Sequence, residues 1–329
     1  MKKRRLGTTN LFVNPIGLGC MGFSHAYGAA IEKSEAIKTI RAAYELGYNF
    51  FDTAQCYTGK NFDGSTSNNE EIVGEALKNV RDKIVIATKF GVAHNSDRSL
   101  RLDSSPATIR KAVDGSLKRL GVETIDLYYQ HRIDAKVEPE TVAAVMGELI
   151  AAGKIRSWGI SETNEEYLRR AHKICPVTAI QNRYSMMARW HEKLFPALEE
   201  LGITFVAFSP LANGLLSGAY KKAQTFSEAG DYRNMMPQFT ANGISKAQDL
   251  LTLLQKLAEE KNSTPAQISL AWMLCKKPYI IPIPGSRKLP RLKENFGAGE
   301  IFLSPEEIAD IDAKLDTMDF DVFGGSPTK

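Results

Sequence analysis

Short apolar segments alternate with longer amphipathic segments along most of this chain. The short segments are rich in valine, isoleucine, phenylalanine and alanine, as strands buried on both faces are. The pattern predicts seven such strands, with an eighth where the apolar signal is weakest. The seven are Phe50–Thr53, Ile84–Lys89, Ile125–His131, Ile155–Ser161, Ala179–Asn182, Thr204–Ser209 and Tyr279–Pro284, and the eighth lies around Ala298–Phe302.

The intervening segments carry helical periodicity and recognisable helix ends. Thr264-Pro265-Ala266-Gln267 combines an N-cap threonine, a proline at the first helical position and a capping-box glutamine. The segment from Ser304 to Glu307 has the same three features, with serine as the N-cap and glutamate in the capping box. Glycines follow the helices at positions where a left-handed residue is favoured, namely Gly47, Gly121, Gly153 and Gly202. The predicted helices are Ser34–Leu46, Glu70–Lys78, Pro106–Leu120, Glu140–Ala151, Glu165–Lys173, Glu192–Leu201, Pro265–Cys275 and a last one from Pro305.

Alternation of strands and helices predicts a parallel sheet, which either stays open or closes into a barrel. No Gly-x-Gly-x-x-Gly motif opens a helix after the first predicted strand, which disfavours the open dinucleotide-binding sheet. Polar residues end nearly every predicted strand, and a barrel collects all these ends at one mouth. We therefore predict a single (β/α)8 TIM barrel, in the α/β class, over residues 1–329. The segment Arg4–Val13 is expected to form a hairpin that caps the opposite end of the barrel.

Composition narrows the functional classes. The 329 residues are 43% hydrophobic and 24% charged, and the net charge of +4 is too small and dispersed to indicate nucleic-acid binding. No apolar stretch approaches the roughly 20 residues that span a bilayer, and the basic start lacks the apolar part of a signal peptide. Four cysteines, at positions 20, 56, 175 and 275, show neither CxxC nor metal-ligand spacing. We expect a reduced cytoplasmic protein with no metal, nucleic-acid partner or membrane anchor.

Four polar residues at or just after strand ends form the most informative pattern. Asp52 ends one apolar run and Tyr57 follows it, Lys89 ends the next run, and His131 ends the third. Taken singly, each has an ordinary alternative: a loop cap for Asp52, a surface ring for Tyr57, a structural ion pair for Lys89 and a buried, hydrogen-bonded ring for His131. Charged residues are seldom buried unless paired. Their arrangement on three consecutive predicted strands therefore favours one shared site.

These residue types suit proton transfer to a carbonyl oxygen. A free phenol titrates at about 10, and a neighbouring ammonium favours its deprotonation. In this interpretation Tyr57 donates the proton while hydride arrives at the carbonyl carbon, and Lys89 lowers the pKa of the phenol. Asp52 holds Lys89 through a salt bridge, and His131 orients the substrate oxygen.

At these residues the chain resembles the aldo-keto reductase superfamily. The resemblance covers essentially the whole sequence, from Gly17-Leu18-Gly19-Cys20-Met21-Gly22 to the short tail after Leu315, which is most similar to the prokaryotic-type and plant auxin-induced branches. It includes Phe51-Asp52-Thr53-Ala54 with Tyr57, Asn69-Glu70-Glu71-Ile72-Val73-Gly74, Ala87-Thr88-Lys89, Asp126-Leu127-Tyr128 with His131, and Gly153-Lys154-Ile155-Arg156 with Gly159-Ile160-Ser161. It implies a (β/α)8 barrel, NADPH-dependent reduction of aldehydes or ketones, and an Asp52, Tyr57, Lys89 and His131 tetrad.

The resemblance also implies an extended NADPH/NADP+ site across the barrel mouth. Its nicotinamide end falls on Gly19, Cys20, Met21, Asp52, Ser161, Gln181 and Phe208, and its pyrophosphate loop on Ser209, Pro210, Leu211, Gly214 and Leu216. Its adenosine-phosphate end falls on Gly285, Ser286, Arg287, Arg291, Glu294 and Asn295. Relatives often carry lysine where Gly285 stands, so the phosphate contacts are expected from Arg287 and Arg291. By itself this strip favours a solvated basic helix with no acidic partner for its arginines.

Substrate choice is expected to reside in the loops Phe23–Ala30, Thr58–Asn68, Val92–Leu102 and Tyr220–Asn242, where Tyr27 and His94 are candidate contacts. The aldehyde or ketone itself, the oligomeric state and a contact from Glu162 to the nicotinamide stay open. Cys20 and Cys56 map near the nicotinamide, so an exposed thiol there would be open to oxidation. The alternative function is a redox-sensing or partner-binding module resembling the β-subunits of potassium channels.

Overall fold

Eight parallel strands, in the order in which they occur along the chain, form the central sheet of the protein. The structure is a computed structural model that describes residues 1–95, 99–228 and 230–324. The strands are Leu18–Gly19, Phe50–Asp52, Val85–Phe90, Ile125–Gln130, Ile155–Ser161, Ala179–Arg183, Thr204–Phe208 and Ile280–Pro282. The Gly17 amide donates to the Pro282 carbonyl at 3.0 Å, which joins the last strand to the first. The sheet is thus curled into the predicted barrel.

Helices surround the strands and complete a (β/α)8 barrel. They are α1 (Lys33–Glu45), α2 (Asn69–Leu77), α3 (Pro106–Leu120), α4 (Pro139–Ala151), α5 (Glu165–Ile174), α6 (Phe195–Leu201), α7 (Ala241–Glu260), α8 (Pro265–Lys276), α9 (Leu289–Gly297) and α10 (Pro305–Leu315). Both predicted capping boxes are present, at Thr264 with Gln267 and at Ser304 with Glu307. None of the helices in the described ranges is both long and apolar enough to cross a membrane.

The N-terminal hairpin closes the bottom of the barrel, as predicted. Arg4–Arg5 pairs antiparallel with Phe12–Val13, and Leu6 and Val13 pack fully buried against the apolar side chains inside the barrel. The Gly7 amide donates to the Thr204 hydroxyl at 2.7 Å, at the start of the seventh strand. The carboxyl ends of the strands therefore form the open mouth.

Two predictions about individual elements are wrong. The segment around Ala298–Phe302 is not a strand but a single 3₁₀ turn, Ala298–Glu300, and Phe302 is 72% exposed. The remaining strand is Leu18–Gly19, at the start of the chain. The tetrad residues consequently lie on or after the second, third and fourth strands, one position later than the sequence indicated.

Three elements above the mouth complete the fold. Thr58–Lys60 pairs with Thr66–Asn68, and Val92–His94 pairs with Leu100–Leu102, so two of the predicted substrate loops are small antiparallel hairpins. Helix α7 follows the long loop after the seventh strand and was not predicted. Its twenty residues bury one face, which includes Ile244, Leu250 and Leu254. These additions frame the functional site.

Candidate active site

A buried ion pair between Lys89 and Asp52 lies at the centre of the mouth. Lys89 is 1% exposed and Asp52 is 3% exposed, and the Lys89 Nζ lies 2.5 Å from the Asp52 Oδ1. The same ammonium donates to the Thr53 carbonyl at 2.8 Å, and Gln181 donates to the other Asp52 oxygen at 2.7 Å. Both charges are thus hydrogen-bonded on several sides, which compensates for their burial.

Tyr57 and His131 complete the predicted tetrad. The Tyr57 hydroxyl lies 3.5 Å from the Lys89 Nζ, and the Tyr57 and His131 rings meet edge to face with centroids 5.7 Å apart. The Cys56 Sγ lies 3.4 Å from the His131 Nδ1. A thiol that donates to Nδ1 would leave the ring proton on Nε2, where it is available as a donor. The four residues therefore converge as the sequence predicted.

Burial keeps both proton-bearing rings neutral. It raises the pKa of Tyr57 well above that of free tyrosine, and the Asp52 carboxylate adds to this shift. It lowers the pKa of His131 well below its usual value, with Arg132 and Lys89 acting in the same direction. Burial also raises the pKa of Asp52, although Lys89 and Gln181 oppose it. Burial therefore acts against the predicted lowering of the phenol pKa by Lys89, which stays a prediction.

Asn69 at the start of α2 braces the strand ends that carry the tetrad. Its side chain accepts from the Thr53 hydroxyl at 2.6 Å and donates to the Cys20 carbonyl at 3.0 Å and to the Ser24 hydroxyl at 2.8 Å. It thereby links the ends of the first and second strands to α2. The sequence analysis noted the Asn69 motif but not this role, since the role depends on how the loops meet.

The residues predicted to hold a nicotinamide line the same mouth. Ser161 ends the fifth strand, Gln181 lies on the sixth and Phe208 ends the seventh, with Phe208 only half-buried. Glu162, in the left-handed conformation, accepts from the Arg183 amide at 2.8 Å and lies 3.9 Å from the His191 Nε2. Its carboxylate is therefore already held by these partners.

The predicted pyrophosphate loop follows directly. Ser209, Ala212, Asn213 and Gly214 all have positive φ, so the chain turns tightly and repeatedly over the mouth. Leu216, near the end of this loop, is fully buried. The Asn213 side chain donates to the Tyr27 hydroxyl at 3.0 Å, and Tyr27 forms a bridge with Asp231. This loop and the loop after the first strand consequently meet above the barrel.

The predicted phosphate strip lies at the start of α9, beside the junction of the first and eighth strands. Arg287 donates through Nε to the Gly22 carbonyl, and its buried second terminal nitrogen has no hydrogen-bond partner. Arg291 donates to Glu294 at 2.6 Å, so the expectation of no acidic partner within the strip is wrong. Gly19 and Gly285 pack closely, and a Cβ at either would lie 2.7 Å from a backbone oxygen. Asn295 is buried and Ser286 caps the turn through the Lys288 amide.

Histidine rings extend the site toward the predicted substrate loops. His25 stacks on Tyr57 with centroids 5.9 Å apart, and His94 lies 5.1 Å from His25. Tyr27 does not join this group of rings, because it contacts Asn213 and Asp231 above the barrel. The sequence analysis missed His25, Arg132 and Arg183. Arg183 could have been found, since strand alternation places it on the same face as Gln181 two residues earlier.

The two cysteines near the tetrad are not poised for oxidation. Cys20 is fully buried and Cys56 is 8% exposed. Burial raises the pKa of both thiols, to about 11 for Cys56, so little of the reactive thiolate forms near neutral pH. The condition on which the redox hypothesis depended, an exposed thiol, is not met.

Comparison with known proteins identifies the family. Residues 15–316 match the Aldo/keto reductase family. The chain belongs to this family. A probable aldo-keto reductase from Glycine max is 37% identical over 311 residues, which cover 93% of this chain and 87% of the relative.

Solved structures of other aldo-keto reductases share this barrel. A glycerol dehydrogenase from Gluconobacter oxydans superposes with a TM-score of 0.84 and is 30% identical, covering 96% of this chain and 95% of its own. An aldo/keto reductase from Klebsiella pneumoniae, determined in complex with NADP and acetate, superposes with a TM-score of 0.72 at 25% identity. That alignment covers 98% of this chain and 99% of the Klebsiella chain. As a member of the family, this protein is an NAD(P)-dependent oxidoreductase.

The residues of this aldo-keto reductase fit a phosphorylated dinucleotide. The buried unpartnered nitrogen of Arg287 needs an acceptor, and phosphate oxygens are the acceptors that guanidinium groups prefer. Arg291 and Ser286 lie close by on the same strip. At the opposite end, the half-buried Phe208 offers an aromatic face for stacking, beside the buried amide of Gln181.

Proposed function

We propose that the protein reduces aldehydes and ketones to alcohols with NADPH, and that Tyr57 is the general acid. The observation that carries this proposal is the convergence of Lys89, Asp52 and Tyr57, with Lys89 Nζ 3.5 Å from the phenol oxygen. Bound NADPH supplies the hydride. The side chains around the mouth donate the proton, stabilise the developing charge and position the substrate.

Tyr57 is suited to proton donation because it stays protonated. Its pKa, raised by burial, keeps the phenol neutral throughout the ordinary pH range. A phenol with a raised pKa is a poor acid until the developing negative charge on its oxygen is stabilised. The ammonium of Lys89 provides that stabilisation during proton transfer, when the phenolate forms. Catalytic hydrogen bonds often shorten only when substrate is bound, which is compatible with the present 3.5 Å distance.

His131 and Asp52 act on position rather than on charge. The neutral His131 ring donates from Nε2 to the carbonyl oxygen, so this oxygen lies within reach of the Tyr57 hydroxyl. Asp52 fixes Lys89 and is itself fixed by Gln181, which we assign to the nicotinamide carboxamide together with Ser161. We assign the loop from Ser209 to Leu216 to the pyrophosphate, and Arg287 and Arg291 to the 2′-phosphate.

The test is NADPH oxidation with a panel of simple aldehydes and ketones, measured together with formation of the alcohol. We expect one alcohol for each NADPH and a turnover near or above about 1 s⁻¹ with the best substrate. Tyr57→Phe should lose this turnover and still bind NADPH, because the phosphate contacts lie elsewhere. Tight cofactor retention with negligible turnover on every carbonyl would contradict the proposal and favour the sensor or partner-binding module.

A further inference from the structure

Two arginines converge on Phe208 at the rim of the mouth. The Cζ of Arg183 lies 5.0 Å from the centroid of this ring, and the Cζ of Arg132 lies 5.9 Å from it. Arg132 directly follows His131 after the fourth strand, and Arg183 ends the sixth. The strand between them ends in Ser161, whose hydroxyl accepts from Arg132 at 3.1 Å. Both cationic groups therefore lie within reach of a molecule bound at the tetrad.

These guanidinium groups lack carboxylate partners among the residues that the structure describes. Arg132 donates to the His131 carbonyl and the Ser161 hydroxyl. Arg183 is only 9% exposed, and one of its terminal nitrogens is buried without any hydrogen-bond partner. Glu162 is close, but its carboxylate accepts from the Arg183 amide rather than from the guanidinium. Burial lowers the pKa of Arg183, and the nearby Glu162 carboxylate opposes this shift.

Aromatic side chains surround the pair. The Phe323 ring centroid lies 5.8 Å from the Arg183 Cζ, and the Tyr232 ring meets Phe323 at 4.8 Å. The tail that carries Phe323 is held down by Lys246, whose ammonium lies 3.1 Å from carboxylate oxygens of both Asp319 and Asp321. The Arg183 guanidinium is thus covered by a stretch of chain that is held in place, whereas Arg132 is partly exposed.

We propose that Arg132 and Arg183 bind a carboxylate on the substrate, so that the preferred substrates are carbonyl compounds carrying a carboxylate remote from the reacting carbonyl. This inference rests on the proposed carbonyl reduction. The guanidinium fork matches the planar carboxylate, and the unpartnered Arg183 nitrogen supplies a donor for it. Phe208 has two faces, so a guanidinium against one leaves the other for a nicotinamide. A phosphate group would also offer negative charge, but more of it and in a tetrahedral shape, and the experiment distinguishes the two groups.

The experiment compares 4-carboxybenzaldehyde with its methyl ester, two aldehydes that differ in charge. The ester has the more electrophilic carbonyl, so a preference for the acid cannot come from intrinsic reactivity. We expect the parent to reduce the acid with a kcat/KM at least about tenfold higher, because a charge-assisted hydrogen bond corresponds to roughly 10–150-fold in binding. Arg183→Met should remove most of this preference, leave the ester within about threefold of the parent value, and leave the Kd for NADPH unchanged. Arg183→Lys, which keeps the charge but not the fork, should retain part of the preference.

A second readout requires no turnover. With saturating NADP+, 4-(hydroxymethyl)benzoate should bind the parent more tightly than its methyl ester, and Arg183→Met should abolish the difference. Equal kcat/KM for the two aldehydes in the parent, or equal losses on both in Arg183→Met, would overturn the inference. Undiminished binding of 4-(hydroxymethyl)benzoate by Arg183→Met would also overturn it, because the carboxylate would then bind at the tetrad. So would a kcat/KM of the parent for 4-formylphenyl phosphate higher than that for 4-carboxybenzaldehyde. If no aldehyde is reduced at all, the proposed function fails. The binding measurement with 4-(hydroxymethyl)benzoate still shows whether Arg183 binds a carboxylate.

Discussion

Contacts with neighbouring residues position the tetrad side chains, and only some of these contacts could be predicted from the sequence. The pairing of Lys89 with Asp52 follows from two charges at the ends of neighbouring buried strands, because such charges need each other. The contacts of Cys56 with His131 and of Asn69 with Cys20 could not be predicted, since they depend on the path of loops with no periodic signal. Burial in the folded site, which a sequence does not show, also acts on the Tyr57 pKa in the direction opposite to the predicted effect of Lys89.

His131 should make the stability of the protein depend on pH. Burial lowers its folded pKa well below the ordinary 6.5, so the unfolded chain binds a proton that the folded chain does not. The free energy of unfolding should therefore fall as pH drops below about 6.5, by up to about 1.4 kcal/mol per pH unit for this one group. Urea unfolding at pH 7.5 and 5.5 measures the loss, which should be smaller in His131→Asn. The other buried histidine, His191, is present in both proteins. An identical loss in the two would show that His131 does not contribute.

Element positions follow from apolar runs when the runs are long enough. The seven strands from Phe50 onward were located because short, largely apolar segments recur between the helical patterns. Leu18–Gly19 was missed because it has only two residues, flanked by glycine and cysteine rather than by an apolar run. Barrel closure at this point relies on close backbone approach instead of side-chain burial. A pattern of side chains cannot reveal that kind of contact.

Gly285→Ala should therefore disturb the junction of the first and eighth strands. The new Cβ would lie 2.7 Å from the Gly19 carbonyl oxygen, a backbone atom that cannot move aside cheaply. We expect a loss of about 1–3 kcal/mol in the free energy of unfolding and weaker NADPH binding, because the phosphate strip begins here. Gly147→Ala in α4 is the matched control, since its Cβ meets only ordinary contacts at 3.9 Å. Thermal unfolding of both variants decides the point, and equal stability would remove the closure argument.

The α9 strip should distinguish NADPH from NADH, which lacks the 2′-phosphate. Arg291→Ala should weaken NADPH binding at least about tenfold and leave NADH nearly unchanged, given about 1.5–3 kcal/mol for a charge-assisted hydrogen bond. Lys293→Ala is the control, because it removes the same charge from the same helix at an exposed position. Cofactor fluorescence titration gives the Kd of NADPH and of NADH for the parent and for both variants. Comparable losses for both cofactors would mean that Arg291, through Glu294, only supports the helix.

For the molecule as a whole, the alternation of elements was sufficient to predict the barrel and the end at which its site lies. The closed sheet gathers residues 52, 89, 131 and 181 at one mouth, although the chain separates them widely. Helix α7 and the tail over Arg183 were not predicted, because they belong to the additions above the barrel that its repeating pattern does not specify. That residues 1–329 behave as one domain stays a prediction.

The rate of hydride transfer in a single turnover tests the central claim, that Lys89 enables Tyr57 to donate the proton. Parent, Tyr57→Phe, Lys89→Met and the double variant would each be loaded with NADPH and mixed with saturating aldehyde. Both single variants should slow the step by about 10²–10⁴ with an unchanged Kd for NADPH, and the double variant should be little slower than the worse single variant, because the two residues act as a unit. Hydride transfer by Lys89→Met at near the parent rate, or losses that multiply in the double variant, would contradict the account.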